Sequence, residues 1–118
     1  MTPRPDGKAG PGALYGTLEV MILKTLSDLG TVHGLEIARH IEHSSSEVLQ
    51  VEEGALYPAL HRLRSQGLVE AEWRISDRKR RARYYEITAA GKQALVEEMA
   101  TWRRRTEAVN RVLGLGDA

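Results

Sequence analysis

The sequence predicts a mainly α-helical domain with a small antiparallel β-hairpin and one long C-terminal helix, and three observations predict it. The stretch 52–67, EEGALYPALHRLRSQG, puts Leu56, Ala59, Leu60 and Leu63 on one side at 100° per residue, and Gly54, Pro58, His61, Arg62 and Ser65 on the other. Directly after it, 68–75 alternates Val69, Ala71, Trp73 and Ile75 against Leu68, Glu70, Glu72 and Arg74, and 82–88 is rich in Tyr and Ile. From Leu95 onward, apolar or small residues are spaced 4, 3, 4, 3, 4 through Met99, Trp102, Thr106, Val109 and Leu113, a heptad seam that needs a facing surface.

In chain order, 1–13 holds three prolines and three glycines and too little apolar surface to offset ordering entropy, so a mobile, mildly basic arm is expected there. The segment 14–29 carries Leu14, Leu18, Met21, Ile22, Leu26 and Leu29 at helical spacing, with Val20 and Leu23 widening the stripe, and Gly30 ends it. A second helix begins around His33-Gly34, with Leu35, Ile37, Ala38 and Ile41 inward and Glu36, Arg39 and His40 outward. Ser44-Ser45-Ser46 breaks it, and Val48-Leu49-Gln50-Val51 is expected to add a short strand to the hairpin. Glu52 and Glu53 favourably charge the start of the third helix. Pro58, which has no amide hydrogen, tightens or bends that start, and Gly67 ends the helix. Thr88 caps the last helix, which at 1.5 Å per residue runs about 35–40 Å, longer than so small a domain can cover. A second copy of the same helix, helped by the wide stripe of the first, is the simplest cover, so a two-fold dimer is expected.

At 118 residues the chain is one domain by size. Its lack of cysteine excludes a disulfide framework, thiol catalysis and thiolate zinc sites, and points to a reducing compartment. No apolar run approaches 18 residues, and the opening residues lack the apolar stretch of a signal peptide, so a cytoplasmic protein without a membrane segment is expected. A net charge of +1 is uninformative in total, but its distribution is uneven. Arg74, Arg78, Lys79, Arg80, Arg81 and Arg83 crowd into ten residues against one acid, Asp77.

A helix feeding a two-stranded hairpin with a basic tip describes a winged helix-turn-helix, with the recognition helix in the major groove of double-stranded DNA and the wing on the adjacent backbone. On this reading His61 and Arg62 meet base edges or phosphates, and Arg64, nearer the flank, meets a phosphate. Arg78, Lys79, Arg80, Arg81 and Arg83 supply the wing's salt-sensitive contacts. His33, Glu36, His40 and His43 recur near one helix face, but a zinc site draws its ligands from more than one element, so no metal site is assigned. No nucleophile, base and acid fall together, so neither catalysis nor a cofactor is expected.

The sequence strongly resembles the PadR family of bacterial transcriptional regulators. The resemblance is carried by Gly16-Thr17-Leu18-Glu19, His33-Gly34-Leu35-Glu36-Ile37-Ala38, Gly54-Ala55-Leu56-Tyr57-Pro58-Ala59-Leu60-His61-Arg62-Leu63, Gly67-Leu68-Val69 and Arg83-Tyr84-Tyr85-Glu86-Ile87-Thr88 with Ala90-Gly91. It departs at Leu35, where the family usually has an aromatic residue, and at Thr31, where proline is frequent, so no role is carried over to Leu35. The single terminal helix is similar to that of the shorter subfamily, whose members are dimers through it. The resemblance implies DNA contact by Tyr57, whose hydroxyl reaches a phosphate, while Pro58, from its own backbone chemistry, serves DNA binding through the shape of the helix. Multidrug-binding members are similar in having a tryptophan near Trp102 that stacks on flat aromatic ligands.

Two readings of Trp102 stand side by side: it fills the dimer interface, or with Leu95, Met99, Thr106 and Val109 it lines a central pocket for a planar aromatic effector. The chain thus divides into an arm at 1–13, a winged helix-turn-helix at 14–88, a dimerisation helix at 89–113 and a frayed tail at 114–118. The expected function is a homodimeric repressor on a pseudo-palindromic operator, released by the effector; the alternative is a winged-helix interaction or architectural module without specific operator binding.

Overall fold

The computed structural model describes residues 15–75 and 77–115. The arm expected at 1–13 and most of the tail expected at 114–118 lie outside them. Four helices and three strands follow in the order α1 (Tyr15–Leu29), β1 (Val32–His33), α2 (Gly34–Ser44), α3 (Glu53–Ser65), β2 (Val69–Ile75), β3 (Arg81–Ile87) and α4 (Ala89–Leu113). This is the mainly helical winged-helix architecture with a long last helix that the patterning predicts.

The core forms where the helical stripes meet one face of the sheet. Ile22, Leu23 and Leu26 of α1 join Ile37, Ala38 and Ile41 of α2, Leu56, Ala59, Leu60 and Leu63 of α3, and Val32, Val69, Tyr85 and Leu95. The sheet order is β1-β3-β2, antiparallel throughout, with Val69 opposite Ile87 and Ile75 opposite Arg81 in the hairpin.

Three expectations are corrected. The strand added to the hairpin is β1, in which Val32 faces Tyr85 and His33 faces Tyr84, and not 48–51. In that segment the Val48 amide donates to Ser45 O, Leu49 N to Ser45 Oγ and Val51 N to Glu42 Oε2, so the backbone closes on the end of α2 and offers no ladder. Leu35 points outward and is 40% exposed. The inward stripe of α2 is Gly34, Ile37, Ala38 and Ile41, because the helix starts at Gly34 with His33 as its N-cap, the ring Nδ1 accepting from Glu36 N. Finally, Leu95 is buried in the core of its own domain, so the part of the heptad seam left uncovered begins at Met99.

α4 is seated by a close approach. A Cβ on Gly91 would fall well inside contact distance of the Leu68 carbonyl oxygen and 2.6 Å from Ile87 Cγ1. Thr88 clamps the junction: its amide donates to Leu68 O at 3.1 Å, its hydroxyl to Gly67 O at 2.7 Å, and the same oxygen accepts from Gly91 N at 3.0 Å.

Candidate nucleic-acid interface

The orientation of α3 is set from below. Leu56, Ala59, Leu60 and Leu63 are all at most 1% exposed, which fixes the helix azimuth and turns Gly54, Pro58, His61 and Ser65 to solvent. The helix runs through Pro58, which sits near its middle rather than at its start.

Tyr57 occupies the edge of this face. Its ring lies over the first turn of α2, where a Cβ on Gly34 would come within 2.9 Å of both Cε1 and the hydroxyl oxygen. Partial burial first, then Tyr85 and Glu53, push the phenol above its ordinary value. The hydroxyl therefore keeps its proton, and its capacity to donate, at any physiological pH.

Arg62 is not on the outer face in the expected way. Its Nε donates to Glu19 Oε2 of α1 at 2.9 Å, folding the side chain back from the exposed surface. The cause lies in α1, where Glu19 shares helical spacing with Ile22, Leu23 and Leu26, so its carboxylate is carried to the core margin and needs a cation there. Glu19 Oε1 is buried without a hydrogen-bond partner among the described residues. An acid at i, i+3, i+4, i+7 spacing with three apolar residues is the sequence signal for this pair.

Arg64 is exposed, but it borders a depression of about 410 Å³ shared with Glu70, Glu72 and Glu86, away from the basic surface. His61 is exposed on α3 itself.

In the wing, the register sets Trp73 opposite Arg83. The guanidinium groups of Arg81 and Arg83 lie over the Trp73 ring at 4.6 and 5.2 Å from its centroid. Arg83 is half-buried, with its Nε enclosed and lacking a hydrogen-bond partner among the described residues. Arg74 is held by Glu72 at 2.7 Å and lies 5.5 Å from the Tyr84 ring centre. The Glu72 hydrogen bond raises the Arg74 pKa above its ordinary value, reinforcing a charge that is permanent in any case. Arg78, Lys79 and Arg80 form the exposed tip, with Lys79 in the left-handed region at φ 59°.

These elements enclose an open groove of about 930 Å³ between the start of α2, Tyr57 and the wing. Arg78, Arg80, Arg81 and Arg83 line it, joined by Arg39 of α2, with His33, Tyr57, Trp73 and Tyr84 as its aromatic wall and Glu36 and Asp77 as its acids. The excess of guanidinium groups beside flat rings suits a polyanion. Sequence reasoning placed Arg39 outward without a purpose and did not single out Trp73 or Tyr84; β1 and the crossed register bring them here. The groove does not include His61, Arg62, Arg64 or Lys79.

The seam residues of α4 divide. Met99, Trp102 and Val109 are exposed and Thr106 is half-buried, whereas Leu95 is enclosed by its own domain. The described residues hold no group of three or more His, Cys, Asp or Glu able to bind a metal ion, and no described helix is long and apolar enough to cross a membrane.

Residues 22–97 match the family model described as the transcriptional regulator PadR-like family. The chain belongs to this family. A relative, the transcriptional regulator Rv3488 of Mycobacterium tuberculosis, is 39% identical over 83 residues, covering 70% of this chain and 71% of that protein. Among solved structures, a transcriptional regulator from Clostridium thermocellum superposes with a TM-score of 0.75 at 26% identity, covering 83% of this chain and 94% of the other. Bacillus subtilis PadR, solved in complex with operator DNA, shares the fold with a TM-score of 0.62 at 24% identity, over 70% of this chain and 47% of that one. The chain is therefore a PadR-family transcriptional regulator, and the resemblance read from 54–63 and 83–91 is confirmed.

Proposed function

We propose that this PadR-family regulator binds operator DNA as a homodimer, inserting the exposed face of α3 into the major groove and laying its wing on the backbone beside it. The observation that carries the reading is the groove, in which Arg39, Arg78, Arg80, Arg81 and Arg83 gather around one polyanion-sized channel next to that face. Tyr57 and His61 contact DNA from α3, Pro58 shapes the approach, and Arg78, Lys79, Arg80, Arg81 and Arg83 hold phosphates. A fold shared with a protein crystallised on operator DNA supports the same mode of docking.

Two copies pair through the uncovered side of α4, where Met99, Trp102 and Val109 leave an apolar surface that one domain does not bury. Symmetry then requires a pseudo-palindromic operator, with half-sites near one helical turn apart or a multiple of it. A planar aromatic effector entering beside Trp102 changes the angle between the two recognition helices and releases repression, by no more than its differential affinity for the two arrangements. Footprinting over the region upstream of the protein's own gene tests the reading. Two protected patches separated by about 10 base pairs, or a multiple of that, support it, and uniform or absent protection rejects it.

A further inference from the structure

We propose that Glu19 is a positioning residue that limits the strength and salt dependence of DNA binding by holding Arg62 away from the DNA backbone. The inference rests on the DNA-binding reading above. Arg62 follows the exposed His61 by one residue and Pro58 by four, so on the helix wheel it belongs to the flank of the face turned toward DNA. A guanidinium on that flank, at the end of a long flexible stem, is within reach of a backbone phosphate. In the structure it points elsewhere: its Nε donates to Glu19 Oε2 at 2.9 Å across 43 residues of sequence. The Glu19 side chain is only 12% exposed, against 38% for Arg62, and its second oxygen is buried without a hydrogen-bond partner among the described residues. A carboxylate so placed is strongly committed to its cation, since parting them would leave a charge enclosed and unpaired.

The consequence concerns backbone affinity rather than discrimination. A phosphate contact strengthens binding to every duplex alike, whereas base contacts by α3 distinguish one sequence from another. Withholding one cation per protomer from the backbone lowers affinity for every duplex by the same factor, so the protein is held less tightly on non-operator DNA while the ratio between right and wrong sites stays as α3 sets it. Glu19 touches no DNA in this account; it is a positioning residue acting through Arg62.

The test compares salt dependence of binding to the native upstream duplex and to a scrambled duplex for wild type, Glu19→Gln, and the double variant Glu19→Leu with Arg62→Leu. In Glu19→Gln the plot of log affinity against log salt steepens by about 0.9 for each Arg62 released, on native and scrambled DNA alike, and the native-to-scrambled ratio is unchanged. The double variant, which replaces the pair with apolar side chains and keeps the fold accessible if the single change unfolds it, returns the scrambled-DNA slope to the wild-type value. An unchanged slope in a folded Glu19→Gln protein overturns the proposal, and so does a shallower slope in the double variant, which would place Arg62 on a phosphate in the wild type. If the wild type itself does not distinguish the two duplexes, the DNA-binding reading fails and takes this inference with it.

Discussion

Replacing Gly91 with alanine attacks the junction on which the long helix is seated. The added methyl would overlap the Leu68 carbonyl oxygen and stand 2.6 Å from Ile87 Cγ1, where 3.4–4 Å is ordinary contact. Because one of these neighbours is backbone in the turn before β2, relief has to come from a retreat of the first turn of α4 by about 1 Å. That retreat stretches three hydrogen bonds of Thr88: from its amide to Leu68 O, from its hydroxyl to Gly67 O, and to its hydroxyl oxygen from Gly91 N. Overpacking costs about 1–3 kcal/mol and loss of the cap about 1 kcal/mol, offset by at most about 1 kcal/mol from the better helix propensity of alanine. The net loss is about 2 kcal/mol. With an unfolding entropy of roughly 2.1 cal/mol/K per residue, each kcal/mol lowers Tm by about 4 °C in a chain of this length, so a drop of about 8 °C is expected. Circular-dichroism melts of both proteins at one concentration measure it. A Gly91→Ala protein melting within a degree of wild type would refute the close approach of α4 to β2.

Changing Arg78, Lys79 and Arg80 together to Ser removes three exposed cations from the wing tip and is expected to flatten the log affinity against log salt slope by about 2–3 per protomer while leaving Tm nearly unchanged; anisotropy titrations at several salt concentrations read it. Met99→Glu places a charge on the uncovered seam of α4, and equilibrium sedimentation is expected to show at least a tenfold rise in the dimer dissociation constant, about 1.4 kcal/mol or more, with the monomer fold retained. Glu47 holds φ 68° in the turn before α3, so Glu47→Gly is expected to raise stability by about 0.5–1 kcal/mol, visible as a higher urea midpoint.

How much of this was legible in advance depends on where each decision is made. The face of α3 and the pairing of β2 with β3 are local periodicities, and Leu56, Leu60 and Leu63 or Val69 and Ile87 announce them directly. β1 is only two residues long and exists because Tyr84 and Tyr85, about 50 residues later, pair with it, so no local pattern reports it. Leu35 read as inward because hydropathy counts side chains, whereas the structure needs no side chain at Gly34, where Tyr57 lies. Heptad spacing marks Leu95 and Met99 as one stripe but does not say which surface each meets, and the domain takes the first for itself. In the interface, the basic tip was legible as charge density, while the placement of Arg39, Trp73 and Tyr84 around one groove and the capture of Arg62 by Glu19 are tertiary facts.

The most direct test of the central claim is fluorescence anisotropy of a labelled duplex from upstream of the protein's own gene, titrated beside a scrambled duplex at several salt concentrations. The account predicts binding at least about 10³-fold tighter to the native duplex, with affinity falling steeply as salt rises. Equal, weak binding to both duplexes would contradict it and favour a winged-helix module that serves protein partners instead.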